Sequence, residues 1–123
     1  EKYYFWDWAM VSDTGGRFEN FVAVQLERAV AAWNESGKGN FKLYFIRTKD
    51  GEEVDFVIAD RQKIYLLVEA KAGEENLSPA LPRLQKATGA PLAIQVVNKK
   101  QLCSQKAKGL WVIGVDRLLT ILP

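Results

Sequence analysis

At 123 residues, about half of them apolar and a quarter charged, the chain has the size and composition of one ordinary folded domain. It has no histidine and one cysteine, Cys103. That excludes a Ser-His-Asp triad, a Cys-His pair, a histidine-ligated zinc and any internal disulfide, and it points to a reducing, cytoplasmic setting. The net charge of +2 hides an asymmetry, because residues 1–75 carry 14 acidic and 10 basic groups while residues 76–123 carry 1 acidic and 7 basic. Such a distribution suits either a polyanionic partner or an ordinary solvated basic surface.

No apolar run approaches the roughly 20 residues that span a bilayer, and no signal peptide is visible, so no membrane partner is expected. The chain does not begin with Met, which points to a fragment of a longer protein.

The first segment, Lys2 to Trp8, is aromatic and reads as a short strand or an extended arm. Its rings suit either stacking on nucleobases or packing on a core or a neighbouring domain. Asp13-Thr14-Gly15-Gly16 reads as a turn with helix N-cap candidates. From about Gly16 to Glu35, Phe18, Val22, Gln25, Leu26, Ala29 and Trp33 recur at spacings of three and four, which predicts a helix. Glu19 lies on that apolar stripe, three residues before Val22 and seven before Leu26. It is either a functional carboxylate or a first-turn glutamate favoured by the helix dipole. Ser36-Gly37-Lys38-Gly39-Asn40 ends the helix.

Three strands follow. Phe41 to Arg47 alternates, with Phe41, Leu43 and Phe45 on one face. Asp50-Gly51 is a hairpin signal, Glu53 to Ala59 is the second strand, and a polar turn at Asp60-Arg61-Gln62 leads to Ile64 to Lys71. Ala72 to Leu77 reads as a loop. Ser78 as N-cap and Pro79 as first helical residue open a second helix to Thr88, closed by Gly89. Pro91 to Val97 and Leu110 to Val115 read as unbroken apolar strands buried on both faces, with a short helix between them. The predicted fold is α/β, a mixed sheet flanked by helices, in one domain over residues 1–123.

The second and third strands carry charges where strands are otherwise apolar: Asp55, then Glu69 and Lys71. An unpaired carboxylate taken out of water costs several kcal/mol, on the order of what a paired or metal-bound one recovers. Side chains alternate along a strand, so Glu69 and Lys71 share a face. If the two strands are neighbours, Asp55, Glu69 and Lys71 converge into a site suited to a hard divalent cation and an activated water.

A helix with an acid, a strand Asp, and Glu-x-Lys on the next strand resembles the PD-(D/E)xK nuclease superfamily. Here the elements are Glu19, Asp55 and Glu69-Ala70-Lys71. The order implies a restriction-endonuclease-like αβββαβ core. The proline of the superfamily motif is replaced, since Val54 precedes Asp55. The wording Gly16-Arg17-Phe18-Glu19-Asn20-Phe21-Val22, Tyr44-Phe45-Ile46-Arg47-Thr48-Lys49, Glu53-Val54-Asp55-Phe56 and Val68-Glu69-Ala70-Lys71 is similar to a domain of unknown function. That domain stands at the C-terminus of many AAA-type ATPases of archaea and bacteria. The resemblance covers nearly the whole chain and implies an N-terminal ATPase region in the full-length protein. The sequence itself has no Gly-x-x-x-x-Gly-Lys-Ser/Thr phosphate loop.

By this resemblance, Asp55, Glu69 and the Ala70 carbonyl hold Mg²⁺ or Mn²⁺, and Lys71 orients the water or neutralises the phosphate. Glu19 holds a second metal or fixes Lys71. Arg47, Arg83, Gln85 and Lys86 contact DNA phosphates, and the lysines at 99, 100, 106 and 108 add non-specific attraction. The implied activity is a Mg²⁺- or Mn²⁺-dependent DNA endonuclease. The alternatives are a nuclease-fold module that binds DNA or a protein or regulates the ATPase, and an oligomerisation domain with Trp6 and Trp8 at its interface. For single residues the plainer readings are a cross-strand ion pair of Asp55 with Lys71, a solvated Glu69 at a strand end, a structural acid partner for Arg47, and a solvated Gln85.

Overall fold

The computed structural model describes residues 3–8, 16–73 and 76–123. Its elements run β1 (Tyr3–Asp7), α1 (Arg17–Glu35), β2 (Phe41–Thr48), β3 (Glu53–Asp60), β4 (Lys63–Lys71), α2 (Ala80–Thr88), β5 (Leu92–Val97), β6 (Cys103–Ala107), β7 (Leu110–Gly114) and α3 (Val115–Ile121). The strands form one seven-stranded sheet in the order β1-β2-β3-β4-β5-β7-β6. Strands β1 to β4 pair antiparallel, β4, β5 and β7 pair parallel, and β6 returns antiparallel on β7. The sheet is mixed and the α-β-β-β-α-β order is the predicted one.

Each helix has a reason to sit where it does. α1 buries Val22, Ala23, Leu26 and Ala29, one stripe at helical spacing. That stripe joins Phe56, Ile58, Val68, Ile94 and Val96 of the sheet, and Leu118 of α3 lies in the same cluster. α2 brings Leu81 and Leu84 to the opposite face, against Ile46, Val54, Val57, Leu67 and Ala93. Both leucines are fully buried, worth about 1.5–3 kcal/mol each relative to exposure. Gly89 ends α2 at φ +72°, a left-handed position, and its N–H donates to the Gln85 carbonyl.

The β2–β3 hairpin follows its Asp-Gly signal. Gly51 sits at φ +90°, and its N–H donates to the Thr48 carbonyl at 3.0 Å. The Thr48 hydroxyl accepts the Glu52 N–H at 3.0 Å, and the Thr48 N–H donates to the Glu52 carbonyl at 2.7 Å.

Several expectations are corrected. The segment between β5 and β7 is the edge strand β6, not a short helix. The last strand stops at Gly114, and Val115 opens α3. Pro79, not Ser78, is the N-cap of α2; the Ser78 N–H donates instead to Gln95 Oε1 at 2.8 Å. The strand predicted to be unbroken and apolar contains Gln95, fully buried. Of the two readings of the aromatic first segment the strand holds: it is β1 on the sheet edge, and Trp8 beyond it packs on Phe56 with ring centroids 5.5 Å apart. The turn residues Asp13, Thr14 and Gly15 lie outside the described residues. No helix among the described residues is long and apolar enough to cross a membrane.

Candidate active site

The site begins with an irregularity in β3. Tyr44 faces Val57, but Ile46 faces Val54. Over that step β2 advances two residues and β3 three, so Asp55 and Phe56 together oppose Phe45. This is a β-bulge, a device that re-aims a side chain. Its effect on the faces is direct: Val54 and Val57 both reach the α2 side, while Phe56 reaches the α1 side. The backbone of the bulge is braced from outside, because the Trp8 indole N–H donates to the Asp55 carbonyl at 3.2 Å.

The β3–β4 register pairs Phe56 with Val68, and one step further brings Asp55 opposite Glu69. There Asp55 Oδ2 accepts the Ala70 N–H at 2.9 Å. The Glu69 carboxyl is hydrogen-bonded to Asp55 and is 5% exposed. Burial pushes this carboxyl up to about 9; the hydrogen bond to Asp55 and the Asp55 charge push the same way, and Lys71 and the Asp55 backbone pull it back. Glu69 is therefore not a solvated residue at a frayed strand end. Near neutral pH, without a cation, it holds a proton against Asp55.

Lys71 closes the strand half-buried, near enough to Glu69 to act on its charge. It also lines an open groove of about 770 Å³, shared with Arg17, Glu19 and Phe21 of α1, Ala70 of β4 and Asn98 beyond β5. The misplaced glutamate of the α1 stripe thus faces the groove beside Lys71. It also lies in the first turn of α1, so the helix dipole favours it there.

The four predicted site residues fall into two linked pairs: Asp55 against Glu69, and Glu19 with Lys71 along the groove. Among the described residues, no three His, Cys, Asp or Glu side chains are placed together to hold a metal. The expected set with Glu19 as a third ligand is not assembled. The remaining donors still fit a hard cation: two carboxylates forced together and a neighbouring backbone carbonyl at Ala70, a residue that lines the open groove. Mg²⁺ takes one or two carboxylates, with waters and substrate oxygens filling its other positions.

The predicted phosphate contacts lie elsewhere. Arg47 pairs with Glu53 at 3.5 Å on the neighbouring strand, the structural role open to it. Arg83 pairs with Glu52 at 2.7 Å. Gln85 is half-buried and donates to the carbonyls of Ala90 at 3.2 Å and Gly109 at 2.9 Å, so it ties α2 to the loops before β5 and β7. Lys86 is exposed in the last turn of α2.

One site neighbour escapes a reading of the sequence. Gln95 stands in register with Glu69 across the parallel β4–β5 pair. Its Oε1 accepts the Ser78 N–H, and its Nε2 donates to the Asn76 carbonyl at 2.8 Å. It holds the segment that leads into α2. Its only signal in the sequence is one polar residue inside an apolar strand.

Residues 14–118 match the domain of unknown function DUF4143. The chain belongs to the DUF4143 family. No curated protein and no solved structure matches it. The DUF4143 match spans Glu19, Asp55, Glu69, Ala70 and Lys71, so the whole candidate site lies within the family's domain. The family brings no activity with it, and the chemistry rests on the side chains.

Proposed function

We propose that this DUF4143 domain is a Mg²⁺- or Mn²⁺-dependent nuclease-like phosphodiester hydrolase acting on DNA, attached in its full-length protein to an AAA-type ATPase region. One observation carries the reading: the buried Glu69 carboxyl is pressed against Asp55 at a bulge, with Lys71 beside it on the lining of an open groove. A structural ion pair would match one acid to one base. Two acids held together in low-exposure surroundings form a poor structural unit and a good cation site.

A Mg²⁺ or Mn²⁺ ion bound there would supply a water of lowered pKa and charge neutralisation at the phosphate. Asp55 and Glu69 would hold it, with the Ala70 carbonyl as third protein donor. The Ala70 N–H fixes the Asp55 carboxylate, so one ligand is oriented before any substrate arrives. Lys71 offers its ammonium to the non-bridging phosphate oxygens or to the attacking water. Glu19 lines the same groove, where it would hold Lys71 in place.

That no third carboxylate joins the pair among the described residues favours a second reading. In it the domain keeps the nuclease fold but cleaves weakly or not at all, and serves DNA binding, protein interaction or regulation of the ATPase. Cleavage of plasmid and branched DNA in Mg²⁺ or Mn²⁺ separates the two. Cutting that is lost in Glu69→Ala and in Lys71→Ala supports the hydrolase. Stable protein that binds metal and never cuts any of these DNAs supports the module.

A further inference from the structure

The groove at the candidate site has two rims that the reading so far leaves idle. One is the first turns of α1, where Arg17 and Phe21 stand four residues apart and both line the groove. Arg17 is exposed, and Phe21 is 43% exposed on a helix that packs its other face into the core. The other rim is the loop after β5, where Asn98 lines the groove and Lys99 and Lys100 follow it, both exposed. Lys71 lies on the floor between them, in register with Val97, the residue before Asn98.

This loop is held in one shape. The Gln101 N–H donates to both oxygens of Asp116, at 3.0 and 3.2 Å. Gln101 takes φ +61°, a conformation that non-glycine residues rarely adopt. The Gly114 N–H donates to the Leu102 carbonyl at 2.8 Å, and a Cβ on Gly114 would collide with the Lys99 carbonyl. Ordinary surface lysines ride on loops that need no such fixing. Backbone held off its usual conformations by several partners is common where a ligand is clamped.

Resting on the hydrolase reading, we propose that these rims bind an unpaired stretch of nucleic acid across the groove. Phe21 stacks a base, Arg17 takes a phosphate on the α1 side, and Lys99 and Lys100 take phosphates on the loop side. The cations are complementary to a backbone, and the exposed ring supplies what a duplex does not need and an unpaired strand does. The strand then lies over Ala70 and Lys71, which follow Glu69 in β4. The α2 residues Arg83 and Lys86 lie outside this path, since α2 packs on the opposite face of the sheet from α1.

The test is fluorescence anisotropy with labelled oligonucleotides, single-stranded against blunt duplex, in Ca²⁺ so that binding is read without cleavage. The intact chain is expected to prefer the single strand. Phe21→Ala should remove that preference with a loss of roughly 5- to 100-fold in single-strand affinity, and Phe21→Tyr should restore it, because stacking on an aromatic carries that much per base. Arg17→Ala and Lys100→Ala should each flatten the salt dependence by about 0.7 in slope, one single-strand phosphate contact apiece. Lys86→Ala should bind as the intact chain. Circular dichroism confirms that each variant is folded. The proposal is overturned if the rim variants bind as the intact chain, if Lys86→Ala alone weakens binding, or if duplex and single strand bind alike. Single-strand binding through the rims with no cleavage in Mg²⁺ or Mn²⁺ would sink the hydrolase reading and leave this one standing.

Discussion

Asp55 Oδ2 accepts the backbone N–H of Ala70 at 2.9 Å, so a residue displaced by a bulge in β3 is fastened to the last turn of pleat in β4. The bond sits between Glu69 and Lys71, the two side chains whose chemistry matters most here. It fixes the Asp55 carboxylate against Glu69 independently of any ligand, and it leaves Glu69 as the group that must answer for the crowding.

That crowding has a pH signature. In the unfolded chain Glu69 releases its proton near 4.5, and in the fold near 9. Between those values the fold binds more protons than the unfolded chain, so stability falls as pH rises. The metal-free domain is expected to melt at steadily lower temperature from pH 5 to pH 9. Glu69→Gln, which cannot ionise, should remove that slope and raise the melting temperature most at the alkaline end. A slope that persists unchanged in Glu69→Gln would show that other groups govern it.

Gln95 supports the site from behind. Replacing it with Leu keeps the volume and leaves the Ser78 N–H and the Asn76 carbonyl without their partner. The expected cost is about 1–3 kcal/mol in urea unfolding, about 0.5–1.5 for each of the two hydrogen bonds lost. Gln95→Glu should be worse than Gln95→Leu near neutral pH, because it sets a further acid beside Glu69 and loses the donor to Asn76. Equal stability of Gln95→Leu and the parent would mean that the loop holds itself.

The charged strands were legible because burial of charge is costly enough to stand out in an apolar run. Asp55, Glu69 and Lys71 announce themselves that way, and the α-β-β-β-α-β order follows from periodicity and turn residues. The bulge was not legible, because it depends on how β3 aligns with β2, a property of the pair. β6 was missed because Cys103 to Ala107 is an exposed edge strand with no apolar alternation to mark it. Gln95 was missed because its partners are backbone groups nearly twenty residues away. The phosphate contacts on α2 were implied by the family resemblance, yet Arg83 and Gln85 have structural partners there.

Gly114 tests the rigid loop apart from the nucleic acid. Its φ of −73° suits any residue, so what matters is the clash of a new Cβ with the Lys99 carbonyl and with Asp116 Oδ1, an acceptor of the Gln101 N–H. Gly114→Ala is expected to destabilise the domain by about 1–3 kcal/mol, as overpacking does, and to speed amide exchange at residues 98–101. Unchanged exchange there, with the fold intact, would show that the loop yields at no cost.

The most direct measurement is Mn²⁺ titration followed by electron paramagnetic resonance at pH 7.5, on the intact chain and on Asp55→Asn, Glu69→Gln and Glu53→Gln. The account predicts one Mn²⁺ per chain, lost in Asp55→Asn and Glu69→Gln and kept in Glu53→Gln, whose carboxylate pairs with Arg47 away from the site. Stoichiometric binding that survives both site variants, or no binding at millimolar Mn²⁺, would contradict it.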